Sequence, residues 1–263
     1  MFRLLSSTCA VSLLVSLPSC RRSGDDGDAE AIEEAADSTQ MSQAEATLLA
    51  SAIDGSTGTA ALPASAESAA AFIAARAPER YAPSGCVTVT QAQTTVTLAF
   101  AGCTGPRGLR RLDGTLVLAV SAGAGGAVIV EASATDFQIG ASTLAIAATA
   151  TYSVEGATAS LAVQTTSSGV GPLGYAIEHD GDYVTTWDGS CVSIDGAWST
   201  QRGDLSRSTT AEVTRCLEQC PEGTVTRTTI DDRVIELTFD GTTTARWSTS
   251  RGATGSFPLA CGI

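Results

Sequence analysis

The sequence predicts an all-β protein, an antiparallel meander that forms a sandwich or an open barrel. Three observations support this class. From Cys86 onward, apolar and polar residues alternate with a period of two, as in strands that bury one face. Gly or Asp turn signals separate these runs roughly every ten residues. An even number of cysteines, six, follows the first 85 residues, which is typical of a disulfide framework in an exported chain.

The composition divides the 263 residues into three segments. Residues 1–19 are predicted to be a lipoprotein signal peptide, and residues 20–85 an Ala-rich and acid-rich tether with short helices. Residues 86–263 are predicted to be a disulfide-stapled β domain. The third segment is long enough to bury one large core.

The leader carries one positive charge, Arg3, before an apolar run from Leu4 to Leu17 that is too short to cross a bilayer. It ends in Leu17-Pro18-Ser19-Cys20, which resembles the lipobox of bacterial lipoproteins. The resemblance implies that Cys20 is acylated, becomes the new N-terminus and anchors the protein in the lipid bilayer. The alternative is an ordinary secretory signal that is cut near Ser19 and leaves Cys20 as a free thiol.

The residue after the cysteine is Arg21 rather than Asp. By resemblance to sorted lipoproteins, this implies a place in the cell envelope at the outer membrane rather than at the inner one.

The predicted tether contains two weak helical patterns. The stretch from Ala29 to Ile53 is rich in helix formers, but its apolar stripe is narrow, so a marginal helix is expected. Ser65 is placed to cap a second, short helix from Ala66 to Arg76, and Pro78 and Pro83 should end helical structure. We expect the whole region to be a spacer that lifts the β domain off the lipid surface.

The β domain begins with a hairpin. One alternating run begins at Val87 and a second one ends at Phe100, and a turn near Gln93 and Thr94 joins them. This turn sets Cys86 roughly opposite Cys103, so a disulfide between them is plausible. Further alternating runs then follow at regular intervals, apart from Gly169 to Asp182, which is predicted to be looser.

The other cysteines allow two arrangements. One run begins at Cys191 and another ends at Cys216, and together they are predicted to form a hairpin centred on Gly203-Asp204. In this hairpin Cys191 lies opposite Cys216 and Trp198 lies opposite Thr209. A Cys191–Cys216 bridge is therefore favoured, which leaves Cys220 and Cys261 as a pair. The alternative is a small local loop closed by Cys216 and Cys220.

Two hairpins of similar design stand near the two ends of the domain, one from Val87 and one from Val225. The aromatic strand ending at Phe100, the turn Cys103-Thr104-Gly105-Pro106 and the closing Cys220-Pro221-Glu222-Gly223-Thr224-Val225 resemble bacterial surface lipoproteins of myxobacterial type. The resemblance implies an exported, lipid-anchored β protein. Its motifs are turn and disulfide residues, so it implies no particular activity.

Charge excludes one class of partner. The chain has 15 basic and 28 acidic residues, a net charge of −13. Nucleic-acid binding needs a basic footprint, so no nucleic-acid partner is expected. The lipid bilayer, reached through Cys20, is the partner that the sequence indicates.

No catalytic residue, metal site or cofactor is predicted. His179 is the single histidine, and it stands between Glu178 and Asp180. A triad needs a nucleophile beside such a base, and the sequence has no G-x-S-x-G elbow. A solvated turn is the favoured interpretation. Calcium ligands from Asp180, Asp182, Asp188, Asp231 and Asp232 are a weaker one, because these acids do not form an EF-hand loop.

Aromatic residues offer one more candidate. Trp187, Trp198 and Trp247 are predicted to pack in the core, with a carbohydrate platform as the alternative. The sequence therefore predicts a non-enzymatic envelope lipoprotein with a structural or binding role. The alternatives are a calcium- or carbohydrate-binding adhesin-like module and, less favoured, a carboxylate-dependent hydrolase.

Overall fold

The structure is a computed structural model that describes most of the chain from residue 65 onward. Its described residues are 45, 48–49, 51–53, 63, 65–105, 111–171, 174, 176–188, 190–202, 205–216, 219–228 and 232–258. The predicted leader, Cys20, the Gly203-Asp204 turn, Asp231 and Cys261 lie outside these residues.

The fold is one antiparallel sheet of thirteen strands in which each strand pairs with the next one along the chain. The first seven strands are β1 (Val87–Ala92), β2 (Thr95–Cys103), β3 (Leu112–Ala122), β4 (Val128–Ile139), β5 (Ser142–Glu155), β6 (Thr158–Val170) and β7 (Ala176–Trp187). The last six are β8 (Cys191–Arg202), β9 (Leu205–Cys216), β10 (Glu222–Thr228), β11 (Val234–Asp240), β12 (Thr244–Thr249) and β13 (Thr254–Pro258). The predicted all-β antiparallel meander is confirmed, and within the described residues the sheet is not closed, because β1 and β13 do not pair.

One face of the sheet, here called the inner face, carries the core. Burial alternates along β4, β5 and β6, so that every second side chain is buried. Neighbouring strands keep their buried residues in register, as in the pairs Val130–Ala150 and Ala150–Val163. A sheet of this many strands must curl to bury one face on itself and on a short helical cover.

The sheet bends where three neighbouring pairings shift register, at Phe100 in β2, Asp113 in β3 and Ala134 in β4. Gly114 lies opposite Phe100, and a side chain there would meet Phe137 Cδ2 at 3.2 Å. The missing side chain lets the rings of Phe100 and Phe137 meet edge to face, with centroids 5.4 Å apart.

Helix α1 (Ala66–Arg80) precedes the sheet and packs on β1, β2 and β3. Its predicted start is confirmed, because the Ser65 side chain accepts a hydrogen bond from the Ser68 backbone N–H. Its predicted end at Arg76 is wrong: the helix continues through Pro78 to Arg80. Buried Ala77 in this last turn packs in the core, and that packing offsets the hydrogen bond that proline cannot donate.

Six further described residues, 45, 48–49 and 51–53, are helical and are here called the inner segment. Leu48, Leu49 and Ile53 are fully buried and belong to the same core cluster as α1 and the sheet. Arg80 of α1 donates a hydrogen bond to the Ser51 carbonyl oxygen and so connects the two.

These contacts place described residues before residue 86 in the same core as the sheet. The inner segment and α1 are part of the β domain, because their narrow apolar stripes find a matching face on the sheet. The inner segment and α1 therefore pack on the sheet rather than standing apart from it.

The prediction of a looser segment from Gly169 to Asp182 is wrong for most of its described residues. Gly169 and Val170 end β6, and residues 176 to 182 form the first half of β7, which pairs with β6 from Ala176 onward and with β8 from Glu178 onward. Small and acidic residues there resemble a loop in composition, but they alternate with Ile177, His179 and Tyr183 on the inner face.

The hairpin register that was predicted from Cys191 to Cys216 is confirmed. Cys191 lies opposite Cys216, and Trp198 lies opposite Thr209. Disulfides join Cys86 to Cys103 and Cys191 to Cys216, with Cα atoms 5.4 Å and 3.9 Å apart. Cys216 is thus not available to Cys220, which is itself disulfide-bonded, and its expected partner Cys261 lies outside the described residues.

The core thins after β7. Side chains from α1 to β7 form one cluster, with Trp187 and Trp198 packed at its margin. Beyond it, Val192 and Ile194 on the inner face of β8 are each 38% exposed. Within the described residues, no helix combines the length and the hydrophobicity needed to cross a membrane.

Candidate functional site

The most unusual group of side chains lies inside the fold, where the inner segment meets β6. Glu45 is 1% exposed. Thr165 donates a hydrogen bond to its Oε1 atom, and Ser167 donates one of 2.9 Å to its Oε2 atom. Alternation along β6 puts Thr165 and Ser167 on the inner face in line with Leu161 and Val163, so two hydroxyls interrupt an otherwise apolar row.

His179 of β7 lies beside this carboxyl group. Its Nε2 atom is 4.0 Å from Glu45 Oε2, which is longer than a hydrogen bond, and its Nδ1 atom is 3.2 Å from Thr200 Oγ1. The ring is 1% exposed. The residue that the sequence placed in a solvated turn is therefore a strand residue in the core.

Burial shifts both groups towards their neutral forms. It raises the pKa of Glu45, against the lowering effect of the Thr165 and Ser167 hydrogen bonds, and the charge of Asp180 raises it further. Burial lowers the pKa of His179 to about 4, although Asp180 and a backbone hydrogen bond at Ser199 oppose the shift. Burial thus favours the uncharged form of each group, because an ionised side chain loses its hydration in the core.

Two aromatic residues close the cluster from the side of β7 and β8. The Tyr183 and Trp198 rings stack with centroids 5.6 Å apart and an interplanar angle of 27°. Gly181 makes room for this stack, because a side chain there would meet Trp198 Cδ1 at 2.8 Å. The Tyr183 hydroxyl is buried with no hydrogen-bond partner among the described residues, and its pKa is raised by burial and by Glu45.

Thr200, His179 and Glu45 contain the three chemical groups of a hydroxyl–imidazole–carboxyl triad. A triad acts on a substrate that reaches its nucleophile, and the hydroxyl here lies in the core with the other two groups. The geometry instead fits the attachment of a chain segment: the carboxyl group comes from the inner segment, and its partners come from the sheet.

The opposite, outer face carries a trough of about 860 Å³ that crosses the strands from β3 to β9. Its floor is made of small side chains such as Ala147 and Ala197, and its polar lining includes Glu131, Asp180 and Asp182. Gln164 donates a long hydrogen bond, 3.5 Å, to Asp182 across the β6–β7 pair. The trough is open to solvent and acidic.

The remaining sequence candidates are scattered. Asp188 accepts hydrogen bonds from the Ser190 and Cys191 backbone N–H groups, which lower its pKa and close a turn. Asp232 has positive φ and lies in the turn before β11. Over the part of the chain that the structure describes, no three His, Cys, Asp or Glu side chains are grouped to hold a metal ion.

Sequence reasoning missed Glu45 and the strand position of His179. Glu45 carries no local signal, because its partners Thr165 and Ser167 are 120 and 122 positions away. His179 had one: the acids 178, 180 and 182 alternate with Ile177, His179 and Tyr183, which is a strand pattern.

Comparison with known proteins adds no assignment: no protein family, curated protein or solved structure shows significant similarity to the chain. The resemblance to bacterial surface lipoproteins therefore stays a prediction that rests on the quoted motifs.

Proposed function

We propose that this chain is a lipid-anchored protein of the bacterial cell envelope with a non-enzymatic, structural or binding role. The observation that carries the proposal is the motif Leu17-Pro18-Ser19-Cys20 directly after the short apolar run. The disulfides Cys86–Cys103 and Cys191–Cys216 are consistent with a location in the cell envelope, because such bonds persist in oxidising compartments.

The position of Glu45 limits how far the folded domain stands from its anchor. Only 24 residues separate Cys20 from Glu45, which is bound to β6. Fully extended, that length of chain reaches about 80–90 Å, and any compaction shortens it. The domain therefore lies within about 90 Å of its anchor. Outer-membrane placement is preferred because Arg21 follows the cysteine.

Cells that express the protein are grown with a clickable fatty-acid analogue to test this proposal. The wild-type protein should be labelled and should co-fractionate with the outer membrane. Cys20→Ala should lose the label, whereas Cys9→Ala, in the leader, should retain it. A labelled Cys20→Ala protein, or an unlabelled wild-type protein with an uncleaved leader, would contradict the proposal.

A binding role has one favoured surface, the outer trough. Its hydroxyl, amide and carboxylate groups on a floor of small side chains suit a neutral, hydroxyl-rich ligand such as an oligosaccharide, or a cation. We propose the trough as the place of the calcium- or carbohydrate-binding alternative. A carboxylate-dependent hydrolase that uses Glu131, Asp180 or Asp182 is the less favoured alternative.

Calorimetry separates these versions. A calcium site in the trough predicts that Ca²⁺ raises Tm and that Asp180→Asn with Asp182→Asn removes the increase, while Glu155→Gln, an exposed acid outside the trough, does not. An unchanged Tm ends the calcium version. An oligosaccharide version predicts saturable heat of binding that Gln164→Ala weakens.

A further inference from the structure

We propose that Glu45 is a latch: its hydrogen bonds to β6 hold the inner segment on the inner face, and the segment can leave while the sheet stays folded. The latch consists of Glu45, Thr165 and Ser167. Its hydrogen bonds lie on the inner face, opposite the outer trough that Thr165 also borders, and it goes beyond the anchoring role of Cys20.

The first argument is the chemistry of the contact. Glu45 is the only buried acid among the described residues, and it meets β6 through two hydroxyl donors. A side chain that merely fills space in a core is apolar, because burial of a carboxyl group is costly unless it is hydrogen-bonded. Because both hydroxyl groups bind the same carboxyl group, they fix where the inner segment lies on β6, and loss of this one contact would free it.

The second argument is what the inner segment covers. Leu48, Leu49 and Ile53 are fully buried against the core, although the sequence around them is a marginal helix on its own. Their attachment therefore depends on the sheet and on the latch rather than on helix propensity. Detachment would expose apolar side chains of the inner segment and of the strands beneath it.

The third argument is that the sheet is held together without the inner segment. Each strand from β1 through β13 pairs with the next through backbone hydrogen bonds, without a break. The disulfides Cys86–Cys103 and Cys191–Cys216 both lie within the sheet. Outside the latch, the described polar contacts of the inner segment include the hydrogen bond from Arg80 of α1 to the Ser51 carbonyl oxygen and the 4.0 Å approach of His179 Nε2 to Glu45 Oε2.

Charged and titratable groups around the carboxyl group make the latch sensitive to pH. His179 and Tyr183 face it from β7, and buried Arg207 of β9 lies in register with Thr200 on the same face. Asp180 lies on the outer face of β7, and its charge acts on Glu45 across the sheet. From α1, Arg80 binds the inner segment itself. Asp180 and Glu45 repel each other when both are ionised, so loss of the Glu45 proton weakens the attachment.

The sign of the effect follows from linkage. In the detached segment Glu45 faces solvent and titrates near 4.5, whereas burial raises its pKa in the attached segment. The attached state then binds the extra proton, and its advantage is complete below pH 4.5 and is lost as the pH rises through the raised pKa. Between the two pKa values the detachment constant rises up to tenfold per pH unit.

Hydrogen exchange of the full mature chain tests the latch. The detachment constant of residues 45–53 is measured against pH in the wild-type protein and in Glu45→Gln, with Glu67→Gln, an exposed acid of α1, as the control. Titration of His179 affects both proteins, so its effect cancels when the detachment constant of the wild-type protein is divided by that of Glu45→Gln. We expect this ratio to rise with pH above 4.5, and the ratio of wild type to Glu67→Gln to stay constant.

Two results would overturn the proposal. One is a ratio of wild type to Glu45→Gln that does not change with pH. The other is exchange of residues 45–53 only together with β4 and β5, which means that the segment does not detach separately.

A second variant covers the case in which Glu45→Gln does not fold. Ser167→Ala removes one donor and should raise the detachment constant about fivefold, the value of one typical net hydrogen bond, without faster exchange in β4 and β5. Its exposed neighbour Ser168→Ala should change neither. Equal acceleration of the inner segment and the sheet by Ser167→Ala would also refute the latch.

Discussion

Ser167 donates a hydrogen bond of 2.9 Å to Glu45, a residue 122 positions earlier in the chain. This contact joins the start of the described chain to the middle of the sheet, and both side chains are buried. It also indicates how the sheet acquires a fixed cover: polar contacts as well as apolar packing position the inner segment.

Ser167→Ala should lower the free energy of unfolding by about 1–2 kcal/mol, because it leaves a buried carboxyl oxygen without one of its donors. Urea denaturation followed by circular dichroism measures the change. Ser168→Ala, on the exposed face of the same strand, should alter it by less than about 0.5 kcal/mol. Equal effects from both variants would show that the Ser167 contact has no special weight.

The single histidine of the chain allows a direct test of the core cluster. Because burial lowers the pKa of His179 to about 4, its ring should stay neutral at pH 5.5 in the folded protein. Its contribution to stability is complete above pH 6.5 and is lost as the pH falls towards 4. Proton NMR of the imidazole resonance against pH gives the midpoint; a value near 6.5 would mean a solvated ring.

Gly181→Ala should destabilise the fold by about 1–3 kcal/mol, because the new methyl group meets Trp198 Cδ1 at 2.8 Å and Thr165 Cγ2 at 3.0 Å. Thermal unfolding measures the loss, and Ser199→Ala, on the outer face of β8, is the matched control. In a Trp198→Ala background the cost of Gly181→Ala should fall, since the main obstacle is gone. An unchanged cost would place the strain elsewhere.

Replacement of Cys86 and Cys103 together by serine should lower the free energy of unfolding by about 3 kcal/mol, because the bond closes a loop of 17 residues. Chemical denaturation of the oxidised proteins measures it. Alkylation and mass mapping without reduction should also find no free thiol among the six cysteines from Cys86 to Cys261. Several alkylated cysteines would contradict the framework and reopen metal binding.

Much of the sheet was predictable, because apolar and polar residues alternate along a strand that buries one face. The Cys191–Cys216 pairing followed from the same rule, since hairpin register and turn position together decide which residues lie opposite. The segment from residue 169 to 182 misled the prediction because glycine and aspartate there have the composition of a loop. The alternation around His179 was the better signal.

The sequence by itself determined the antiparallel meander, the first hairpin and the cap of α1 at Ser65, because each depends on neighbours a few residues apart. Only the tertiary structure decided that the inner segment and α1 pack in the core of the sheet and that Glu45 meets Thr165, Ser167 and His179. The sequence does not show which strand a narrow apolar stripe or a single acidic residue will contact, because that depends on how the sheet curves. Contacts across more than a hundred residues depend on that curvature, which arises from shifted registers and small side chains spread over many strands.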